Sequence, residues 1–427
     1  MIRTEKLACG ADLLLEPVDR TDTLCIGFWF RIGSRDEGEG ERGYSHFLEH
    51  MLFKGTRRRT ALRIAQDIDR VGGFLNAFTE KEFTCIFAVL PKEHMELAFD
   101  LLGDMSAGSL LDEAELEKEK AVIVNEILSV EDSPEEKGHE TYLRLLWGDH
   151  PLARRITGEV EEVQAIRRGG LEAFYRARFT AGNAIVAVAG NFDPGRAREL
   201  AEAALAGCRG APAPAARSPP GISRFTEFVA DRFNQVQIYT GSCYHLHHAT
   251  GHLLKSDIMH YYTSLVFSTA LGESMSSRLF QRLREELGLC YSIYTFRSFF
   301  DDVGQLTIYS NATPDRTKPL LTALDAELAR LKSVPLSPAE IEDAKSHLKG
   351  SMILSREDME SRMKRLVRQF TMIERAYEFE ESVRMIDEVG PRQIEDFVSA
   401  YLRRELFSTL AFGTEDGSAL GGFRFSF

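Results

Sequence analysis

The segment HFLEH, residues 46–50, places the strongest constraint on what this chain can fold into. In a helix, residues four apart lie on one face, so the imidazoles of His46 and His50 would project side by side, with Glu49 next to them. Two imidazoles and an adjacent carboxylate make half of a catalytic zinc site, in which the carboxylate can accept a proton from water. The alternative is a surface helix with two solvated histidines.

A catalytic zinc site needs a third protein ligand, and the later segment LEKEKAVIVNEIL offers a candidate. Glu119 and Glu126 are seven residues apart, which is two helical turns, so they share one face of a helix predicted over about 112–131. We interpret Glu126 as the third ligand, and Glu119 as a carboxylate that orients the N–H of one histidine. The fold must then bring this helix to the HFLEH segment.

At these residues the chain resembles the pitrilysin/insulysin group of inverted-motif zinc peptidases, and most closely its processing-peptidase branch. In that branch H-x-x-E-H is followed by FKGT, here residues 53–56, and a distal glutamate lies 76 residues after the second histidine, which is Glu126 here. The resemblance continues through GGFLNAFTEKEFT (72–84), YRARFTAGNAIVAVAGNF (175–192) and SSRLFQRLREELGLCYS (276–292). It implies an endopeptidase with one zinc ion per chain, bound by His46, His50 and Glu126, and with Glu49 as the general base.

The resemblance also implies an α+β fold of two related domains, each a mainly antiparallel β-sheet packed against helices. Together the two domains would form half of a clamshell. Chains of this length pair in the family, so we expect a homodimer, because this chain carries its own complete site. Such an enclosure would admit unstructured peptides and presequence-like segments. Some family members have lost catalytic residues and serve as noncatalytic core or partner subunits. That alternative stays open, as does a different hydrolase activity at the same residues.

The first half of the chain alternates predicted strands and helices. Residues 23–33 (TLCIGFWFRIG) are rich in β-branched and aromatic side chains and predict a buried strand. A helix capped by Thr60 is expected to run to about Val71 and to end at Gly72 and Gly73. The remaining predicted elements are strands over 74–79 and 84–90, a helix with Pro91 at its first position, and a helix over 134–147.

The predicted strand over residues 74–79 has two interpretations. An edge strand offers unpaired backbone N–H and C=O groups, to which an extended peptide can add as a further strand. An ordinary edge strand facing solvent is equally compatible with its position. The resemblance favours the first interpretation, because an N-A-x-T strand holds the substrate backbone in that family. Asn76, Ala77 and Phe78 are therefore the expected substrate contacts.

A Pro-, Ala- and Gly-rich run, residues 209–223 (RGAPAPAARSPPGIS), divides the chain. It has too few bulky apolar side chains to join a core, which favours an interdomain linker. We therefore expect an N-terminal domain over residues 1–208, which carries the zinc site, and a C-terminal domain over residues 224–427.

The second half of the chain repeats features of the first. LDEAELEKEK (111–120) aligns with LSPAEIEDAK (336–345), and this offset places Ser351 opposite Glu126 and Ala344 opposite Glu119. A slightly different offset places three other residues, Tyr262, Leu265 and Val266, opposite His46, Glu49 and His50. None of these residues restores the ligand set. The C-terminal domain is therefore expected to be a related fold without a metal site, which completes a substrate chamber.

Arg284 and Tyr291 are candidate catalytic residues in the second half. In the resembling peptidases, an arginine and a tyrosine at this spacing hydrogen-bond the substrate near the scissile carbonyl. Guanidinium and phenol groups are donors suited to a carbonyl or an oxyanion. The alternative is a surface arginine and a core tyrosine. Glu273 and Cys290 stand where small residues are more typical of the family, which leaves the local backbone open.

Composition excludes several classes of protein. A formal net charge of −13 over 427 residues argues against a nucleic-acid partner, which would need a basic face. The acidic residues could cover a soluble surface or line a cavity for cationic peptides. No apolar run approaches the roughly 18 residues of a membrane helix. Asp12 interrupts LACGADLLLEPV, so we recognise no secretory leader and expect a cytoplasmic protein without membrane partners.

Cysteines and a histidine-rich tract are two further candidate site components. The six cysteines are scattered and form no C-x-x-C pair, which predicts free, mostly buried thiols. Histidine-rich tracts can bind metal, and the tract HLHHATGH contains His245, His247, His248 and His252. No carboxylate accompanies this tract and it is not part of the family pattern. We interpret residues 245–252 as an exposed loop.

Overall fold

The computed structural model of the protein describes residues 1–208, 210, 217–246, 255–373, 375–414 and 420–427. The chain forms two compact units, each assembled from three separate segments. The first unit comprises Met1–Ser129, Arg154–Arg217 and Leu354–Glu378, and the second comprises Val130–Ala153, Ser218–Ile353 and Phe379–Phe427. The division of the chain at residues 209–223 stays a prediction, and residues 209 and 211–216 of that predicted linker lie outside the described residues.

The strands form two mixed sheets. In chain order they are β1 (Arg3–Lys6), β2 (Asp12–Pro17), β3 (Thr23–Phe30), β4 (Phe74–Thr79), β5 (Thr84–Pro91), β6 (Ala184–Gly190), β7 (Thr226–Ala230), β8 (Val236–His245), β9 (Ile293–Phe299), β10 (Val303–Ala312) and β11 (Phe407–Gly413). The six-stranded sheet of the first unit has the order β1-β2-β6-β3-β5-β4, and the five-stranded sheet of the second has the order β7-β11-β8-β10-β9. Each sheet has one parallel pair, β2 with β6 and β7 with β11, and is otherwise antiparallel.

Helices cover both sheets. In chain order they are α1 (Tyr44–Leu52), α2 (Ala61–Asp69), α3 (Met95–Gly108), α4 (Glu113–Asp132), α5 (Pro134–Trp147), α6 (Val160–Ala165), α7 (Arg168–Arg178), α8 (Pro194–Leu205), α9 (Lys255–Ser268), α10 (Pro314–Ser333), α11 (Pro338–Ser355), α12 (Met359–Ile373), α13 (Phe379–Glu388) and α14 (Pro391–Tyr401). The predicted α+β fold of two sheets packed against helices is confirmed.

The elements predicted in the first half are confirmed, with small shifts at their ends. Thr60 caps α2, because its side chain accepts a hydrogen bond from the backbone N–H of Arg63. Pro91 is the exception, since it lies at the N-cap and not at the first helical position. It is the last residue of β5, opposite Thr23, and a short 3-10 turn over Lys92–His94 separates it from α3. The prediction was wrong because β5 continues through Pro91. Proline has no backbone N–H, but at the end of a strand this removes no hydrogen bond from the sheet.

The two faces of the first sheet are covered by helices from different halves of the chain. α1 packs against β4 and β5 on one face. On the other face, α12 buries Trp29, whose indole N–H points at the sulfur of Met363 at 3.0 Å. Both side chains are fully buried, so the residues around 354–378 complete the core of the first unit.

The second unit likewise takes a helix from the first half. α5 lies on its sheet, and Gly138 approaches the ring of Tyr239 so closely that a Cβ atom would be 2.8 Å from Cε2. Two π-helical segments, Thr269–Glu273 and Phe280–Glu286, follow α9.

All six cysteines are free and four of them are buried, as predicted. No helix among the described residues is both long enough and apolar enough to cross a membrane.

Candidate metal centre

Close packing and hydrogen bonds fix the start of α1, the helix that contains the HFLEH segment. Gly43, its N-cap, has φ +80°, and a Cβ atom there would lie 2.7 Å from the carbonyl oxygen of Thr157. The Glu37 carboxylate accepts hydrogen bonds from the backbone N–H groups of Gly43 (2.9 Å) and Ser45 (2.7 Å). These are groups that a helix N-terminus leaves without intrahelical partners. Burial raises the pKa of Glu37 to about 8, against the opposing effect of these hydrogen bonds.

The apolar face of α1 packs in the core, which leaves its polar face for the metal centre. Phe47, Leu48 and Met51 are fully buried in the core of the first unit. The predicted ligands occupy the remaining face, where the rings of His46 and His50 have centroids 4.7 Å apart. The helical spacing predicted from the sequence is therefore confirmed for this segment.

The structure brings the three predicted ligands together. One donor atom from each of His46, His50 and Glu126 lies within 4.8 Å of the others. Nε2 of His46 is 3.6 Å from one Glu126 oxygen, and Nε2 of His50 is 3.7 Å from the other. The Glu126 side chain is 45% exposed, so the cluster opens to solvent on the α4 side. Across the described part of the chain, this is the one group of three or more His, Cys, Asp or Glu residues with such convergence.

The donor chemistry of this cluster fits a zinc ion. Two imidazole nitrogens and one carboxylate oxygen form the protein ligand set of catalytic zinc sites, which keep a fourth position open. Burial lowers the pKa of His46, but the nearby Glu126 carboxylate and the charge of Glu49 outweigh burial and raise it above its ordinary value. The neighbouring His46 ring lowers the pKa of Glu126. Both shifts have the same cause, which is the short distance between the imidazole and the carboxylate at the point where the three donors meet.

Glu119 lies where the sequence places it, next to a histidine ring nitrogen. Its Oε2 atom is 3.0 Å from Nδ1 of His50, the nitrogen that faces away from Glu126. Its Oε1 atom is 2.5 Å from Nζ of Lys54. Lys54 lies four residues after His50 and so at the same side of the helix end, but no sequence pattern assigned it a role.

The Glu49 carboxylate has a partner that the sequence analysis also missed. The hydroxyl of Thr79, at the end of β4, donates to Oε2 of Glu49 at 2.6 Å. Strand alternation could have identified Thr79, because residues two apart point to the same face and Ala77 packs in the core on the α1 side. The resulting pair links the motif helix to the strand predicted to hold substrate.

β4 is an edge strand, which within the described residues pairs only with β5. Phe78 points to the face opposite Thr79, where its ring packs edge-on against Trp29 at 5.1 Å and under Nζ of Lys364 at 4.7 Å. Asn76 shares that direction by strand alternation. The group that this edge offers to a peptide is therefore its backbone. The roles of Asn76, Ala77 and Phe78 in substrate binding stay predictions.

Arg284 and Tyr291 belong to the second unit, in which they contact each other. The guanidinium of Arg284 lies over the ring of Phe280 at 4.5 Å and over the ring of Tyr291 at 5.5 Å. Tyr291 is 75% exposed, so the alternative of a core tyrosine is wrong. Both side chains are accessible as donors, and their catalytic roles stay predictions.

The Glu273 carboxylate accepts hydrogen bonds from two hydroxyls and from Arg297, which accounts for an acidic side chain at this position.

Comparison with known proteins assigns the chain to a family. The family model described as Insulinase (Peptidase family M16) matches residues 14–159, and the model described as Peptidase M16 inactive domain matches residues 165–348. The chain belongs to the M16 peptidase family.

Relatives and a solved structure agree with this assignment. An uncharacterized zinc protease of Streptomyces coelicolor is 35% identical over 366 residues, which cover 86% of this chain and 79% of the relative. An uncharacterized zinc protease of Bacillus subtilis is 34% identical over 366 residues, with 86% of this chain and 87% of the relative covered. A crystal structure of a peptidase M16 inactive domain from Pseudomonas fluorescens has a TM-score of 0.86 at 18% identity, and covers 97% of this chain and 98% of that chain. The M16 assignment makes peptidase the general class of this chain, and both relatives are named zinc proteases.

The residues that the two sequence offsets place opposite the metal-site residues fall on two helices of the second half of the chain. Ser351 and Ala344 lie on α11, and Tyr262, Leu265 and Val266 lie on α9. None of the five side chains belongs to a cluster of potential metal ligands among the described residues. The expectation of a related domain without a metal site stays a prediction.

The histidine tract outside the M16 motif is only partly described. His245 ends β8, and its Nε2 atom is 2.8 Å from the carbonyl oxygen of Pro220. His247, His248 and His252 lie outside the described residues.

Proposed function

We propose that this M16 chain is a zinc-dependent endopeptidase that hydrolyses unstructured peptides or presequence-like segments. The observation that carries the proposal is the convergence of His46, His50 and Glu126 within 4.8 Å, beside Glu49 on the same helix. A zinc ion held by these three residues would polarise the scissile carbonyl and lower the pKa of water.

The residues of the chain supply the proton transfers. Glu49 accepts a proton from water as general base and returns it to the leaving amine. Thr79 occupies one oxygen of Glu49 with a 2.6 Å hydrogen bond, which fixes the carboxylate and leaves its other oxygen for proton transfer. Glu119 holds the ring of His50 through Nδ1 at 3.0 Å.

Substrate binding in this proposal relies on the peptide backbone. An extended peptide adds to the edge of β4 at Asn76, Ala77 and Phe78 by backbone hydrogen bonds, which tolerate many side chains. Arg284 and Tyr291 donate to the substrate near the scissile carbonyl. A homodimer that encloses the substrate, each chain forming half of the clamshell, and a cytoplasmic location belong to the same proposal. The net charge of −13 favours cationic peptides over acidic ones.

Replacement of the general base tests this function. Glu49→Gln keeps the shape of the side chain but cannot accept the proton, so kcat on an unstructured fluorogenic peptide should fall by about 10²- to 10⁴-fold. Zinc content, measured by elemental analysis, should stay at the wild-type value because Glu49 is not a ligand. Glu113→Gln, on the exposed first turn of α4, is the matched control and should leave both unchanged.

The alternatives give different results in the same assays. A wild-type chain that binds zinc but cleaves no peptide would favour a noncatalytic subunit. Cleavage of esters in place of peptides would favour another hydrolase. Full turnover in Glu49→Gln would remove the general-base assignment. A chelator should abolish peptide cleavage by the wild-type chain, and added zinc should restore it.

A further inference from the structure

A lysine outside the predicted ligand set contacts the metal centre indirectly. Nζ of Lys54 lies 2.5 Å from Oε1 of Glu119, while Oε2 of the same carboxylate lies 3.0 Å from Nδ1 of His50. The Glu119 side chain is 6% exposed. One buried carboxylate therefore joins a cation on one side to a ring nitrogen of a zinc ligand on the other.

The two oxygens of Glu119 are divided between these partners, and that division has a consequence for His50. A carboxylate that accepts the Nδ1–H of an imidazole selects the tautomer in which Nε2 keeps its lone pair. Nε2 of His50 is the nitrogen that faces Glu126, at 3.7 Å. With Oε1 occupied by Lys54, Oε2 is the oxygen left to hold the ring.

The other histidine ligand lacks such support. Nδ1 of His46 is buried and has no hydrogen-bond partner among the described residues. Control of ring orientation by a side chain is therefore confined to His50. This asymmetry makes the contacts of Glu119 the point at which the ligand geometry can be set from outside the cluster.

Lys54 reaches Glu119 from a backbone that is held on both sides. Its own N–H donates to the carbonyl of Met51 at the end of α1, at 3.2 Å. Two residues later, the hydroxyl of Thr56 donates to Asp104 of α3 at 2.7 Å, and Arg59 binds the same Asp104 oxygen at 2.7 Å. The position of the Lys54 backbone is thus determined by α1 and α3, and not by the metal cluster itself.

We propose that Lys54 is a positioning residue of the metal centre. It holds the Glu119 carboxylate in the orientation that accepts the Nδ1–H of His50, and thereby keeps Nε2 of His50 directed at the zinc position. This inference rests on the proposed zinc function and adds a residue to it. Simple Coulomb attraction predicts the opposite effect of removing Lys54, because loss of a nearby cation would strengthen the binding of a divalent ion.

Zinc affinity of the full-length chain decides between these two effects. Lys54→Met removes the charge and the donor but keeps most of the length of the side chain, and should weaken zinc binding by about tenfold, the lower end of the effect of outer ligand partners. Lys54→Arg retains a donor for Glu119 and should restore most of the affinity. Lys118→Met is the matched control, since Lys118 forms a 2.6 Å pair with Glu115 on the same helix, α4, but is mostly exposed. Competition with a chelating indicator measures all four proteins.

A second measurement separates positioning from a general loss of structure. ¹⁵N spectra of the histidine rings should show one Nδ1–H tautomer for His50 in the wild-type chain and a mixture in Lys54→Met, with thermal unfolding unchanged. Zinc binding in Lys54→Met that equals or exceeds wild type would overturn the proposal, as would an equal loss in Lys54→Arg. A wild-type chain that binds no zinc would instead overturn the proposed function itself.

Discussion

Two glutamates on α4 illustrate how residues of the same type acquire different surroundings. Glu119 and Glu126 share one helix face, as their spacing predicts, but the Glu119 side chain is 6% exposed and that of Glu126 is 45% exposed. The more exposed carboxylate lies opposite both Nε2 atoms, at 3.6 and 3.7 Å, where a ligand for an open site must be. The buried one contacts a cation and a ring nitrogen, because a buried carboxylate needs compensating partners.

At the scale of single residues, replacement of Thr79 tests whether its hydrogen bond supports the Glu49 carboxylate during turnover. Thr79→Val removes the hydroxyl that donates to Oε2 but keeps the side-chain volume. Hydrogen bonds to charged groups contribute about 1.5–3 kcal/mol, so we expect kcat to fall by roughly ten- to a hundredfold. Zinc content should not change. Steady-state kinetics with an unstructured peptide give the measurement.

Thr79→Ser serves as the control for this prediction, because it retains the hydroxyl and should keep most of the activity. A wild-type kcat in Thr79→Val would show that the hydrogen bond does not support Glu49 during turnover.

Among the elements, α1 depends most on contacts that are distant in sequence. Its periodic apolar residues predict a helix, and the structure agrees. Its start, however, is set by Glu37, six residues before Gly43, and by the close approach of Thr157. A capping carboxylate supplied from outside the usual capping position leaves no local pattern to recognise. The exact start of the motif helix was therefore beyond sequence reasoning.

Two glycines in helix interiors of the second unit should respond to alanine in opposite directions. In Gly350→Ala, on α11, nothing lies within 4 Å of the new Cβ atom, so the free energy of unfolding should rise by about 1 kcal/mol from helix propensity. In Gly138→Ala, on α5, the Cβ atom would lie 2.8 Å from Tyr239 and 3.3 Å from Phe412. Overpacking of this kind costs about 1–3 kcal/mol, so the free energy of unfolding should fall.

Urea unfolding of the two variants beside the wild-type chain measures both changes. Equal stabilisation by the two substitutions would mean that α5 does not pack on the sheet at Gly138 as closely as the structure indicates.

On the scale of the whole molecule, each compact unit contains one segment from the other half of the chain. Residues 354–378 complete the first unit, and Val130–Ala153 belongs to the second. Trp29 and Phe87 owe their burial to the cluster that includes Met363 and Leu366 of α12. The core of each unit is thus not formed by a continuous stretch of sequence.

This arrangement predicts that the halves do not fold alone. A fragment of residues 1–216 lacks α12 and exposes the apolar face around Trp29, so it should bind a hydrophobic dye and unfold without a cooperative transition. Co-expression with residues 217–427 should restore a folded complex. Dye fluorescence and circular dichroism during thermal unfolding provide the measurements.

The full chain, cleaved at a protease site introduced into residues 211–216, is the control and should remain folded. Cooperative unfolding of the isolated 1–216 fragment would contradict the shared core.

The sequence by itself determined the candidate residues of the site and most of the elements. Local patterns suffice for this, because helical spacing places His46 and His50 on one face, and strand propensity and turn residues mark β3, β4 and β5. Helical spacing made Glu126 a candidate ligand, and the family motif, with its glutamate 76 residues after His50, supported that choice. Lys54, Thr79 and Glu37 escaped because their roles depend on which side chains meet in space.

Only the tertiary structure decided how remote segments combine. It brought α4 to α1, placed Thr79 against Glu49, and built each unit from segments of both halves of the chain. Such contacts arise from the burial of apolar faces such as that of α12. Any sufficiently apolar helix could cover the same face of a sheet. The periodicity of apolar residues predicts that one face of a helix will be buried. The packing of the whole core selects the element that buries it.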